Sequence, residues 1–154
     1  MNILITPGEV LEMAFASPEG AESGHISESV IVSAQRKFIR PVINGLFDKL
    51  EQGEYEPLLT GYIKPPLAYY VKFLVLPMLS AHVGSLGVVQ SRGATFLPAD
   101  AATLAALRRQ TRSDANALMR IAVEHIEVNR TAYPEYDPAR NILHRASIAS
   151  QVVL

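Results

Sequence analysis

The side chains in this sequence that could do chemistry are few and scattered. Its four histidines are His25, His82, His125 and His144. No His-x3-His pair and no Glu-flanked histidine pair occurs, which is the spacing that puts two imidazoles on one helical face to hold zinc. Glu124 directly precedes His125, and adjacent residues of a helix point to different faces, so they make no joint acid–base unit. His125 falls on the apolar stripe of its helix, where a packed, hydrogen-bonded imidazole is the ordinary role. An enzyme would need Glu124, His125 and Tyr69 or Tyr70 to meet in one cleft, and nothing in their spacing arranges that. No serine lies in a Gly-x-Ser-x-Gly elbow. Gly84-Ser85-Leu86-Gly87 lacks the Lys-Ser/Thr end of a phosphate loop and follows a helix, not a strand. The absence of cysteine rules out disulfides, thiol nucleophiles and thiolate metal sites. The expectation is a protein with no catalytic residue, no cofactor and no metal, and so not an enzyme.

What remains is charge. Arg108, Arg109 and Arg112 cluster on one surface of a helix, with Arg108 and Arg112 four residues apart. On a single chain such a cluster is ordinarily a solvated face. Repeated around a ring it would become a positive belt, so these three are the candidate DNA-channel residues. As surface residues, their joint replacement by serine is expected to leave the fold intact. The formal net charge of −1 argues against bulk electrostatic binding to nucleic acid or to an anionic membrane. The charge is uneven, however: residues 1–57 carry four Lys/Arg against nine Asp/Glu, and the remainder carries ten against six. That polarity suits stacking between partners, or is plain surface scatter.

The elements that must position these groups are helical. At 154 residues, with 49% apolar and 19% charged residues, the chain fits one globular domain with a sizeable core. The longest apolar run spans residues 63–79, with Lys64 and Lys72 its only charges. Pro65 and Pro66 suit a first helical turn. Apolar side chains then point in nearly every direction, the pattern of a buried central helix, expected over 65–83 with a Pro77 kink near Phe73. The run is too short to span a bilayer comfortably. Thr6-Pro7-Gly8-Glu9 predicts a capping box, and residues 17–25 a flexible acidic loop. Ser27 opens a helix bearing Val30, Ile31, Ala34 and Phe38, which Pro41 ends or kinks. Val42, Leu46, Phe47 and Leu50 face the core from the next, which Gly53 can cap. Val88–Gln90 and Thr95–Leu97 flank Ser91-Arg92-Gly93 and predict a β-hairpin. A long helix follows from Pro98-Ala99-Asp100, with Leu104, Leu107, Thr111, Leu118, Ile121, His125 and Val128 as its apolar stripe and Ser113-Asp114 as a possible break. The predicted fold is mainly α: a compact multi-helix domain with long central and C-terminal helices and one small β-hairpin. Its helical core covers about 27–138, between an N-terminal helix and loop (1–26) and a tail (139–154).

Several short strings in this chain carry a resemblance. They are Ile31-x2-Ala34-Gln35-x2-Phe38-Ile39-Arg40-Pro41-Val42-Ile43 with Leu46-Phe47-Asp48-Lys49-Leu50; Lys64-Pro65-x-Leu67-Ala68-Tyr69-Tyr70 with Leu76-Pro77; Gly87-Val88-Val89-Gln90; and Asn129-x3-Tyr133-Pro134-x-Tyr136. In that order they resemble the head–tail connector (head completion, neck adaptor) proteins of tailed phages, most closely a variant from prophages of Bacteroidetes. The similarity covers about residues 27–138; the loop at 17–25 and the tail after Pro138 are not matched. The resemblance implies a non-enzymatic adaptor, made in the bacterial cytoplasm and built into the virion neck. There it would form a ring, commonly a dodecamer, between the portal and the next neck or tail protein, with DNA passing transiently and non-specifically through the channel. It brings no catalytic residue, no cofactor and no membrane. An exposed hairpin and an apolar tail would then be contacts between subunits, so Val88, Val89, Gln90, Arg92, Thr95, Phe96, Val152 and Val153 are the candidate interface residues. The alternative is a small helical ligand- or protein-binding regulatory module with a groove beside Pro77.

Overall fold

The computed structural model describes residues 2–15, 23–85 and 101–145. Among these, every regular element is a helix and no strand occurs. The expected hairpin, with Val88, Val89, Gln90, Arg92, Thr95 and Phe96, lies outside the described residues. So do most of the acidic loop and the tail residues Val152 and Val153.

Helix α1 spans Pro7–Ala14 and begins with the predicted capping box. The Glu9 amide donates to Thr6 Oγ1 at 3.3 Å, and the Thr6 amide donates to Glu9 Oε2 at 2.8 Å. Two of the orphan donors of a helix start are thereby satisfied. Helix α2 spans Glu28–Ala34. Ser27 precedes it in extended conformation, but its side chain makes no cap bond; Oγ instead lies 2.8 Å from Ser29 Oγ. The helix widens into a π-turn at Gln35–Ile39 and resumes as α3, Arg40–Ile43. Pro41, with no N–H to give, sits in that resumed first turn, which is how the chain accommodates it.

Asn44 then turns the corner into α4, Gly45–Glu51, with φ 43° and ψ −115°. A positive φ costs a non-glycine residue about 1–3 kcal/mol unless surrounding bonds enforce it. Gly53 ends the helix region at φ 83°, as its expected capping role requires. Helix α5, Glu56–Leu58, leads through a second π-turn, Leu59–Ile63, into α6, Lys64–Ser85.

Helix α6 is the predicted central helix. Leu67, Ala68, Tyr70, Val71, Val75 and Leu76 are buried on it, and it packs against α1, α2 and α7. Its α-helical course continues past Pro77, where the missing N–H leaves the Phe73 carbonyl without its usual partner.

Helix α7, Ala101–Val128, is unbroken at Ser113-Asp114. Its core face differs from the predicted stripe. Thr111, Ala115, Met119, Ala122, Val123 and Ile126 are buried, whereas Leu107, Ile121 and Val128 are exposed. Small side chains let α7 approach α6 closely, so the alanines mark the contact and the larger aliphatics are left outside. Beyond α7, turns at Arg130–Ala132 and Pro138–Arg140 fold the chain back onto α4.

Candidate functional site

The arginines expected to face a channel are not equivalent. The Arg108 guanidinium carbon lies 4.5 Å above the Phe73 ring of α6, and that of Arg112 lies 5.5 Å from the same ring. Phe73 meets Phe38 edge-on at 6.2 Å, and Phe38 stacks on Tyr70 at 4.3 Å. Two of the three cations thus close an aromatic column joining the Gln35–Ile39 π-turn, α6 and α7. Arg108 is half-buried, and its Nε has no hydrogen-bond partner among the described residues. Each cation–π contact is worth about 0.5–2 kcal/mol, so replacing all three arginines would not be neutral for the fold as the sequence suggested. Arg109 is exposed and remains the one clean surface cation of the trio.

The exposed side of α7 carries a second feature. Leu107, Ile121 and Val128 are 39%, 53% and 78% exposed. Their separations are multiples of seven residues, which keeps them within one helical face. Asp114 falls in the same register between Leu107 and Ile121, and Arg109, two residues from Leu107, points away from it.

Two residues of the enzyme reading, His125 and Tyr70, are engaged in separate contacts. His125 stacks on Tyr62 with ring centroids 3.9 Å apart and 13° between planes. Its Nε2 lies 3.4 Å from the Tyr133 hydroxyl. The Tyr70 hydroxyl donates to Asn116 Oδ1 at 2.7 Å, and burial pushes its pKa up to about 12. Glu124 is exposed. Among the described residues, no three histidines or carboxylates cluster as a metal site would require. Nor is any described helix long and apolar enough to cross a membrane.

The closing turn is held by a dense set of side-chain hydrogen bonds. Asn44 Nδ2 donates to the Asp137 carbonyl at 3.0 Å, and the Asp137 amide donates to Asn44 Oδ1 at 2.9 Å. The Tyr55 hydroxyl donates to the Glu135 carboxylate at 3.1 Å. Tyr136 donates to Glu127 Oε1 at 2.8 Å, accepts from Asn141 Nδ2 at 2.9 Å, and is pushed up to about 12, mainly by burial. The Asn44–Asp137 bonds, with those of the Asn44 side chain to the Val42 carbonyl and from the Gly45 amide, brace the unusual φ at the α3–α4 corner.

Two clefts flank α4. Near its start lies one of about 410 Å³ whose walls bring together Arg36, Arg40, Arg140 and Arg145 with Asp48 and Asn44. Near its end lies one of about 320 Å³ bearing Glu9, Glu51, Glu56 and Lys64. There the Lys64 ammonium donates to Glu9 Oε1 at 2.7 Å, which holds the Glu9 carboxyl below the usual range, and Glu51 Oε1 is buried without a partner among the described residues. Neither cleft is lined by Pro77. The sequence reading missed the arginine cleft because its two pairs of cations lie about a hundred positions apart, and no local spacing signals their meeting.

Residues 36–146 match DUF6712, a family of unknown function. The chain belongs to this family. All four cleft arginines fall inside the matched segment, as do α4 and α7. No curated protein and no solved structure matches the chain.

Proposed function

We propose that this DUF6712 member is a non-enzymatic structural adaptor of a tailed-phage neck. Copies of it would form a ring around the DNA channel, between the portal and the next neck or tail component. The observation that carries this reading is the ordered series of motifs from Ile31 to Tyr136 that resembles head–tail connector proteins. In the structure those motifs supply scaffold positions: Ile31, Ala34, Gln35, Ile39, Val42, Ile43, Leu46, Phe47 and Leu50 are buried, as are Leu67, Ala68, Tyr70 and Tyr136. The likeness therefore concerns how the chain folds, which is what a ring-forming subunit must share.

Exposed aliphatic side chains on α7 support the reading further. A ring uses heterologous contacts, in which one patch meets a different patch of the next copy. Ile121 and Val128, two turns apart and both more than half exposed, supply apolar side chains to one side of such a contact.

The test is native mass spectrometry of the purified chain, alone and with its cognate portal. The expected result is a closed ring, either free or only on the portal. A chain that stays monomeric and never binds the portal would refute the adaptor. Arg109→Ser is the appropriate channel variant, because Arg108 and Arg112 also brace Phe73. Changed DNA retention in particles carrying this variant would put Arg109 in the channel, and unchanged retention would remove it.

A further inference from the structure

The four-arginine cleft is built from two distant parts of the chain. Arg36 and Arg40 come from the π-turn after α2 and the start of α3; Arg140 and Arg145 come from the returning C-terminal segment. All four are exposed at the surface, and no lysine lines the cleft. Four guanidinium groups share it with a single carboxylate, Asp48, in a protein whose formal net charge is −1. A cleft lined mainly by one sign of charge focuses the field and draws ions of the opposite sign into it. The Arg40–Asp48 pair is loose, at 3.6 Å with both side chains more than half exposed, so Arg40 can exchange that carboxylate for another anion.

The shape is held by other groups. Asn44, on the cleft wall, has its positive φ braced by side-chain bonds to both backbone groups of Asp137, to the Val42 carbonyl and from the Gly45 amide. A strained residue fixed in this way points to a position with a role beyond packing. It joins the wall carrying Arg36 and Arg40 to the wall carrying Arg140 and Arg145, so the cations stand on a braced frame. Guanidinium forks match the oxygens of phosphate two at a time, which favours arginine over lysine where phosphate is recognised.

We propose that this cleft binds the phosphodiester backbone of nucleic acid, without reading its sequence. The site does not depend on ring formation, since every residue of it belongs to one chain. If the chain does form a ring, the cleft is where its DNA contact sits, in place of the face bearing Arg108, Arg109 and Arg112.

The test is fluorescence anisotropy of the full chain with a labelled DNA duplex, with light scattering of the same sample recording its oligomeric state. Four phosphate contacts predict a slope of log affinity against log salt of about −3.6, or roughly 150-fold weaker binding on going from about 50 mM to about 200 mM salt. Replacing Arg36, Arg40, Arg140 and Arg145 together by serine is expected to weaken binding at least about tenfold and to flatten that slope. The double variant Arg140→Ser/Arg145→Ser, checked for an unchanged melting temperature, is expected to lower the slope by about 1.8. Arg109→Ser is expected to bind as the parent does. The proposal is overturned if the parent chain does not bind DNA at the lower salt, if the arginine variants keep the parent slope, or if Arg109→Ser loses as much as they do. Displacement of the DNA by polyglutamate at equal charge concentration would also overturn it, and would make the cleft a dock for an acidic protein segment. A chain that binds DNA through the cleft but forms no ring, even on the portal, would leave this proposal standing and remove the adaptor.

Discussion

Gly45 offers a sharp test of how the closing turn meets the helical core. It is the first residue of α4, and a Cβ built on it would lie 2.6 Å from the Glu135 carbonyl oxygen and 3.6 Å from that carbonyl carbon. A backbone carbonyl cannot rotate aside as a flexible side chain can. Gly45→Ala must therefore push the 133–141 segment off α4, strain α4 itself, or break the neighbouring Asn44–Asp137 bonds. Overpacking of this kind costs about 1–3 kcal/mol, and each hydrogen bond loosened adds about 1 kcal/mol. We expect a loss of about 3 kcal/mol, which for a domain of this size lowers Tm by about 6–12 °C. Gly61→Ala is the matched control. Gly61 lies in the π-turn before α6 with nothing within 4 Å of its would-be Cβ, so the same substitution should stabilise by about 0.5–1 kcal/mol through the unfolded chain. Thermal unfolding followed by circular dichroism measures both. Hydrogen exchange should show lost protection in residues 133–141 of Gly45→Ala alone. A Gly45→Ala protein as stable as the parent would refute the close approach, and with it the braced frame of the arginine cleft.

Two further outcomes follow from buried polar groups. Gln35 is fully buried; its Oε1 accepts from the Leu4 amide at 2.7 Å, and its Nε2 donates to the Asn2 carbonyl at 3.0 Å. Gln35→Leu leaves the buried Leu4 amide without an acceptor and should cost about 1–3 kcal/mol, with the fastest gain in hydrogen exchange at Leu4; unchanged exchange there would show that the N-terminal segment is held by packing alone. Tyr70 and Tyr136, both pushed up to about 12 by burial, bind their protons more tightly folded than unfolded. Their contribution is complete below about pH 10, the ordinary tyrosine value, and is lost as pH rises towards about 12. Stability should therefore fall across that window, by roughly 3 kcal/mol for each fully titrated tyrosine. The drop should be smaller in Tyr70→Phe, and phenolate absorbance titrating near pH 10 in the folded protein would contradict the burial.

The helical class and the central helix were legible in the chain because both are local. The apolar, charge-poor run after Pro65-Pro66 can be stable only as a buried helix, and Thr6-Pro7-Gly8-Glu9 specifies a capping box by atoms within one turn. The core of α7 was misread for a physical reason: large aliphatics were weighted above alanine, whereas close packing on α6 selects Ala115, Met119 and Ala122 and leaves Ile121 and Val128 outside. The pairing of Arg108 and Arg112 with Phe73 required α6 and α7 to be side by side, which no spacing within α7 encodes.

Sequence by itself therefore determined the mainly helical class, the α1 cap and the buried central helix. Tertiary structure alone decided that Arg108 and Arg112 meet Phe73 and that four other arginines line one cleft. Helix starts and apolar periods depend on neighbours a few residues apart. The meeting of Arg36 and Arg40 with Arg140 and Arg145 depends on a chain reversal held by Asn44 and Asp137, 93 positions apart.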